Sequence, residues 1–102
     1  MAGQVRICLG RKIPKEGRVR EVRVGQREFC VARVNGVISV VDGLCPHKEL
    51  PLGEGSIEKG RLVCPWHGWE FDLETGEQHK GDAQVRVYEA VIEDGELLVT
   101  IS

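Results

Sequence analysis

Two short segments carry residue types that bind metals. Cys45 is followed two positions later by His47, and Cys64 is followed three positions later by His67, with sixteen residues between His47 and Cys64. Each segment supplies one thiolate sulfur and one imidazole nitrogen. Thiolates and imidazoles suit zinc, copper and iron–sulfur centres, so the four side chains form a candidate metal site.

Two alternatives compete with a larger metal centre. A disulfide between Cys45 and Cys64 would leave both histidines unexplained, and a chain without a secretory signal is expected to keep its thiols reduced. A structural zinc site is the stronger alternative, although such sites usually contain Cys-x2–4-Cys or His-x3–5-His pairs. Pro46 and Pro65 follow the cysteines and hold them extended. That arrangement favours two loops opened around something larger than one ion.

The wider motif resembles the Rieske [2Fe–2S] family. It combines Cys-x-His-x16-Cys-x2-His with the flanking Cys-Pro-His and Cys-Pro-Trp-His-Gly-Trp-x-Phe-Asp, all within 43–76. The resemblance implies one [2Fe–2S] cluster, with two cysteines on one iron and two histidines on the other. Carried over to this sequence, the cluster ligands are Cys45, His47, Cys64 and His67.

The resemblance also implies a net charge for the site. The oxidised core carries two positive charges, which two thiolates cancel, whereas four thiolates would leave two negative charges. An electron therefore enters the mixed-ligand site more easily. The reduced site carries one negative charge and favours protonation of a histidine, so electron and proton affinity are expected to be coupled at high pH.

Four positions depart from the high-potential members of this family. Respiratory-chain Rieske subunits have two further cysteines where this chain has Leu50 and Trp66. They also have serine and tyrosine hydroxyls against the cluster where this chain has Trp69 and Phe71. Fewer hydroxyl donors stabilise the reduced state less, so we expect a potential at the low end of the Rieske range, on the order of −150 mV.

Other candidate residues are weaker. Cys8 and Cys30 fall in strand-like segments, where buried and unreactive thiols are expected. The segment 81–83 lacks the proline with which many relatives form a third covering loop, which leaves the shielding of the cluster there open. His79, two residues before this segment, is expected to lie in a surface loop.

Alternation of apolar and polar residues dominates the rest of the chain, with no run at helical spacing. Asn35-Gly36 and Asp94-Gly95 each join two such segments and predict type I′ hairpins. The predicted strands are two within 17–34 (the second over 27–34), then 37–41, 61–63, 69–72, 85–92 and 96–101. These elements predict an all-β fold: a small antiparallel β-sandwich or barrel-like Rieske fold, one domain over 1–102, with two cluster-binding loops within 42–68.

Composition limits the classes of protein. The chain has 102 residues, of which 41% are hydrophobic and 29% charged, so one folded domain is expected. Its apolar stretches are far shorter than the roughly 20 residues of a membrane span, and its first residues lack a secretory signal, so a cytoplasmic location is expected. Residues 1–33 carry nine Lys/Arg and three Asp/Glu. These charges alternate with valines as on the solvent face of a strand, so we predict no nucleic-acid partner.

The length and motif together favour electron transfer over catalysis. A terminal oxygenase needs a separate catalytic domain, for which 102 residues leave no room, and no nucleophile–base pair suggests hydrolysis. The resemblance implies a soluble one-electron carrier between an NAD(P)H-linked flavoprotein reductase and a terminal oxygenase, like a dioxygenase ferredoxin component. The alternatives are the small subunit of an assimilatory NAD(P)H nitrite reductase and a zinc-stabilised structural module with the same four ligands.

Overall fold

The computed structural model describes residues 5–45, 51–65 and 68–101, which are almost entirely β structure. The only helix among these residues is a single 3-10 turn at Leu52–Glu54. No helix in the described ranges is long and apolar enough to cross a membrane. The strands are β1 Val5–Gly10, β2 Val19–Val24, β3 Arg27–Val34, β4 Val37–Asp42, β5 Ser56–Glu58, β6 Arg61–Val63, β7 Glu70–Phe71, β8 Val87–Glu93 and β9 Glu96–Ile101.

The strands form two antiparallel sheets. The larger sheet has six strands in the order β1-β9-β8-β4-β3-β2, and the smaller has three in the order β5-β6-β7. Neighbouring strands in both sheets run antiparallel. The all-β antiparallel fold predicted from the alternating sequence is therefore confirmed.

Both predicted hairpins are confirmed. Asn35-Gly36 and Asp94-Gly95 have positive φ at both positions, with values from 53° to 79°. Positive φ at two central residues defines the type I′ turn, whose twist matches that of the flanking strands. Such a turn also fixes the register, and Val34 accordingly lies opposite Val37.

Strand boundaries differ from the predicted ones by one or two residues. The strand predicted to begin at Val85 begins at Val87, because the Val85 amide instead donates to the Gly76 carbonyl oxygen at 2.8 Å. The strand predicted over 69–72 is the shorter Glu70–Phe71. Strand β5 at Ser56–Glu58 was not predicted, and β1 was anticipated only by the strand-like context of Cys8.

The expected burial of Cys8 is wrong. Cys8 lies in β1, as its strand-like context predicted, but its side chain is exposed. β1 is an edge strand whose alternation directs Leu9 into the core, so the preceding residue faces outward. Cys30, in the interior strand β3, is 0% exposed, and its predicted burial is confirmed.

The buried side chains form two packed groups separated by β3 and β4. Successive residues of a strand point to opposite faces, so these strands contribute to both groups. One group, which we call the loop core, consists of Cys30, Ala32, Val41, Cys45, Leu52, Leu62, Cys64, Phe71, Leu73 and Val85. The other, the sheet core, consists of Leu9, Val22, Phe29, Val31, Val40, Tyr88, Leu97, Val99 and Ile101.

Candidate metal centre

Cys45 lies three residues beyond the end of β4, where the first cysteine-containing loop begins. Leu44, just before it, pairs with Pro51 in an isolated antiparallel bridge. The Leu52 amide also donates a hydrogen bond to the Gly43 carbonyl oxygen at 2.8 Å. The two contacts close the base of the loop and hold Cys45 at its entrance.

Cys64 follows β6 directly and begins the second loop. Its amide donates a hydrogen bond to the Trp69 carbonyl oxygen at 2.7 Å, which continues the pairing of Val63 with Glu70 in the adjoining strands. Gly68 returns the chain with a φ of 67°, a conformation that glycine adopts without strain. The second loop is thus also closed by backbone hydrogen bonding beside its cysteine.

The fold brings the two cysteines into the same packed group. Cys45 is 0% exposed and Cys64 is 1% exposed, and both belong to the loop core with Leu52 and Phe71. All four cysteines of the chain lie in the described ranges, and none is in a disulfide. Two buried thiols at the entrances of two fixed loops fit the inner ligand pair of a metal centre.

His47 and His67 lie outside the described residues, so their role as ligands stays a prediction. Within the described ranges there is no group of three or more His, Cys, Asp or Glu side chains that could hold a metal ion. The described donors of the candidate site are two thiols, and the predicted donors that follow them in sequence are two imidazoles. Soft thiolates with imidazoles are a suitable set for an iron–sulfur centre.

Two aromatic residues, Trp69 and Phe71, follow the second loop in sequence. Phe71 is fully buried in the loop core, and the half-buried Trp69 packs against that core. Their ring centroids are 6.5 Å apart with an interplanar angle of 52°. Neither ring carries a hydroxyl group, and the low potential expected from this stays a prediction. Leu50 and Trp66, the other two departures, lie outside the described residues.

Cys30, the third cysteine of the loop core, has an unreactive thiol. Burial, together with the nearby negative charge of Glu21, raises the pKa of Cys30 to about 12. The thiolate is the reactive and metal-binding form of cysteine, and it is not populated here at neutral pH. This agrees with the prediction of an unreactive core residue. His79 is exposed, as was also predicted.

Sequence reasoning missed a polar contact beside the first loop. The Tyr88 hydroxyl donates a hydrogen bond to Asp42 Oδ1 at 2.6 Å. Burial, together with the hydrogen bond to Asp42, raises the pKa of Tyr88 to about 12. Because Asp42 ends β4 and is followed by the first loop, the contact fixes that strand end to β8. Tyr88 is the only tyrosine of the chain, but no spacing in the sequence links it to Asp42.

Comparison with models of known protein families identifies the family of this chain. Residues 3–92 match the family model of the Rieske [2Fe–2S] domain. The chain therefore belongs to the Rieske [2Fe–2S] domain family, whose cofactor is a [2Fe–2S] cluster. The resemblance drawn from the Cys/His motif and the cofactor expected from it are both confirmed.

Curated relatives include both large oxygenases and small ferredoxins. The 4beta-methylsterol monooxygenase of Methylococcus capsulatus is 41% identical over 64 residues, which are 62% of this chain but only 17% of that protein. The ferredoxin component of the alkene monooxygenase system of Xanthobacter autotrophicus is 29% identical over 86 residues, covering 82% of this chain and 70% of that protein. The chain thus spans a small part of the first relative and most of the second.

Solved structures give the same fold. The ferredoxin of Sphingomonas yanoikuyae B1 has a TM-score of 0.80 at 28% identity, covering 94% of this chain and 96% of that one. A chain in the complex of reduced oxygenase and oxidized ferredoxin of carbazole 1,9a-dioxygenase has a TM-score of 0.77 at 27% identity, with coverages of 94% and 91%. A nitrite reductase small subunit from Mycobacterium tuberculosis, described as putative and NADH-dependent, has a TM-score of 0.83, with coverages of 97% and 96%. At 19% identity, that last likeness shows the fold alone.

Proposed function

We propose that this chain is a one-electron carrier whose [2Fe–2S] cluster is held by Cys45, His47, Cys64 and His67. The observation that carries the proposal is the placement of Cys45 and Cys64, both buried in the loop core at the entrances of two closed loops. Each is followed in sequence by a histidine at the spacing of the family motif. We take 1–102 as one domain with this single centre.

The described residues have separate roles in such a site. The bound cluster supplies one-electron redox chemistry. Cys45 and Cys64 supply thiolate ligands in a dry environment, and Phe71 keeps water and hydrogen-bond donors away from one side. The backbone bonds at the two loop bases hold the ligands in place, so little rearrangement is needed when the charge of the site changes by one.

The proposed electron path runs from an NAD(P)H-linked flavoprotein reductase through this chain to a terminal oxygenase. Similarity to the alkene monooxygenase ferredoxin component over 82% of the chain supports this choice. Likeness to a chain from an oxygenase–ferredoxin complex supports it as well. On this proposal the chain is not itself an enzyme but an electron-transfer component that works in the cytoplasm.

The role of a nitrite reductase small subunit stays a prediction, because the likeness that bears on it extends to the fold only. The two roles differ in their electron acceptor. An oxygenase α-subunit gene and a reductase gene beside this one would favour the ferredoxin role. A sirohaem-type reductase large-subunit gene would favour the other.

A spectroscopic experiment tests the cluster and its cysteine ligands. We expect anaerobically purified protein to be red-brown, to bleach with dithionite and to give a low-temperature EPR signal only after reduction. Cys45→Ser and Cys64→Ser should lose these signals, whereas the control Cys8→Ser, at an exposed thiol, should retain them. A colourless protein with stoichiometric zinc that unfolds with chelator would instead establish the structural zinc module.

A kinetic experiment tests the electron path. The purified protein is mixed with NADH and a purified dioxygenase reductase, and bleaching of the cluster is followed by stopped flow. A reduced sample is then mixed either with an oxidised oxygenase component or with a nitrite reductase large subunit. Fast reoxidation by the oxygenase alone is expected. Reoxidation by the nitrite reductase subunit alone would overturn the proposed acceptor.

A further inference from the structure

The side chain of Gln78 closes a tight turn over residues 79–82. The Gln78 amide donates a hydrogen bond to the Ala83 carbonyl oxygen at 2.9 Å. The Ala83 amide donates in return to Gln78 Oε1 at 3.1 Å. Lys80, inside the turn, has a φ of 63°, which is unfavourable for a residue with a side chain. One backbone bond and one side-chain bond, both between Gln78 and Ala83, therefore hold a turn in which Lys80 has an unfavourable conformation.

The side-chain amide of Gln78 occupies the space that a side chain at position 81 would need, and Gly81 leaves that space open. A Cβ atom built on Gly81 would lie 2.3 Å from Gln78 Oε1 and 2.4 Å from its Cδ. Real Cβ atoms do not approach other atoms so closely, so any side chain at 81 would displace the amide group. The position of the Gln78 side chain therefore depends on glycine at position 81.

Ala83 connects this turn to the loop core. It is partly buried and packs against the loop core, the group that contains Cys45 and Cys64. Val85, two residues later, belongs to that core and is 2% exposed. The turn at 79–82 therefore borders the loop core, the packed group to which both cysteines belong.

We propose that Gln78 is a positioning residue that keeps the turn closed and so limits the access of water to the loop core beside Cys45 and Cys64. The proposal rests on the proposed function, because hydration of this core changes a redox potential only when a cluster is bound. It also explains how segment 81–83 is ordered without a proline. In this chain the side-chain amide of Gln78 holds the segment through its bond with the Ala83 amide.

The direction of the effect follows from the charge of the site. With two thiolates and two neutral imidazoles, the oxidised centre is neutral and the reduced centre carries one negative charge. Water stabilises the charged form more than the neutral form. Opening the turn should therefore favour the reduced state and move the midpoint potential to a more positive value.

Gln78→Ala is the test variant, and Gln84→Ala is its control. Gln84 Nε2 donates to the Thr75 carbonyl oxygen at 3.0 Å, so both variants delete one glutamine bond to the backbone of the same region. Gln84 is exposed, whereas Gln78 is partly buried within the turn. Hydrogen exchange, read by mass spectrometry over 78–84, should become about threefold to tenfold faster in Gln78→Ala only. Film voltammetry should show a more positive potential in Gln78→Ala only.

A second variant tests the geometry directly. Gly81→Ala should displace the Gln78 amide and reproduce both the faster exchange and the potential shift of Gln78→Ala. In the Gln78→Ala background the colliding atoms are gone, so adding Gly81→Ala should change neither quantity further. Additive effects of the two substitutions would overturn the pairing of Gln78 with Gly81.

The outcomes separate this proposal from the proposed function. Faster exchange with an unchanged potential in cluster-loaded Gln78→Ala would overturn the shielding role and leave the electron carrier intact. Unchanged exchange would overturn the role of Gln78 in holding the turn. A wild-type protein without any cluster signal would overturn both proposals, and the spectrum taken before any substitution reveals that case.

Discussion

The backbones of Gly43 and Glu28 lie in direct contact. The Gly43 amide donates a hydrogen bond to the Glu28 carbonyl oxygen at 2.9 Å, and a Cβ atom on Gly43 would lie 2.6 Å from the Glu28 carbonyl carbon. Gly43 is two residues before Cys45. The contact therefore sets the point at which the first cysteine loop leaves the sheet.

Gly43→Ala should disturb this exit point. Because the obstructing atoms are backbone, the chain must shift, and we expect a loss of about 1–3 kcal/mol in the free energy of unfolding, together with a lower iron content. Denaturant unfolding and iron analysis measure the two effects. Gly60→Asn is the control, since its Cβ position is open and asparagine tolerates its φ of 76°. Equal iron content in the two variants would contradict the role of Gly43.

The two packed groups should respond differently to the same substitution. Leu52 in the loop core and Leu97 in the sheet core are both 0% exposed. Each Leu→Ala change should cost about 2–5 kcal/mol of stability, because it leaves a cavity. Only Leu52→Ala should also alter the visible spectrum and potential, since Leu52 belongs to the packed group that contains both cysteines. Identical spectroscopic changes in the two variants would show that the groups are not independent.

Stability should decline in alkaline solution. The folded state raises the pKa of Tyr88 from 10.0 to about 12 and that of Cys30 from 9.0 to about 12. Folding therefore favours the protonated forms, and the stability this contributes is complete below the unfolded values and lost as pH rises through about 12. Denaturant unfolding at a series of pH values should show a decline that begins near pH 9.

Tyr88→Phe isolates the tyrosine contribution to this decline. At neutral pH the variant should be about 1–3 kcal/mol less stable, because the Asp42 carboxylate loses its hydroxyl donor. Its stability should then fall less steeply above pH 10 than that of the wild type, since one of the two titrating groups is gone. Parallel curves for the two proteins would show that Tyr88 does not titrate in this way.

His47→Cys should lower the midpoint potential. The substitution replaces a neutral imidazole by a thiolate and adds a negative charge to the site, so the shift is expected to be on the order of 100 mV downward. Voltammetry of iron-loaded protein measures it. His79→Cys, at an exposed position, is the matched control and should keep the wild-type potential. A fully loaded His47→Cys protein with the wild-type potential would remove His47 from the ligand set.

The features predicted from the sequence are those encoded by a recognisable motif or by the two residues of a turn. The Cys/His motif identified the family, and Asn35-Gly36 defined a hairpin because turn geometry depends on two residues. The exposure of Cys8 was missed because alternation alone does not say which face of an edge strand meets the core. The bond between Tyr88 and Asp42 joins residues 46 positions apart, a distance over which local patterns carry no information.

The pairing of β1 with β9 places Val5 opposite Ile101, so the polypeptide enters and leaves this fold at neighbouring points. A domain whose two ends are adjacent can be inserted into another protein without distorting the domain or its host. The sheet edge that carries these ends is built on the sheet core, whereas the cysteines belong to the loop core. A host domain joined there would leave the two buried cysteines undisturbed. That geometry gives a physical reason why the same module recurs as a minor part of an oxygenase such as the methylsterol monooxygenase, where the match is 17% of the length.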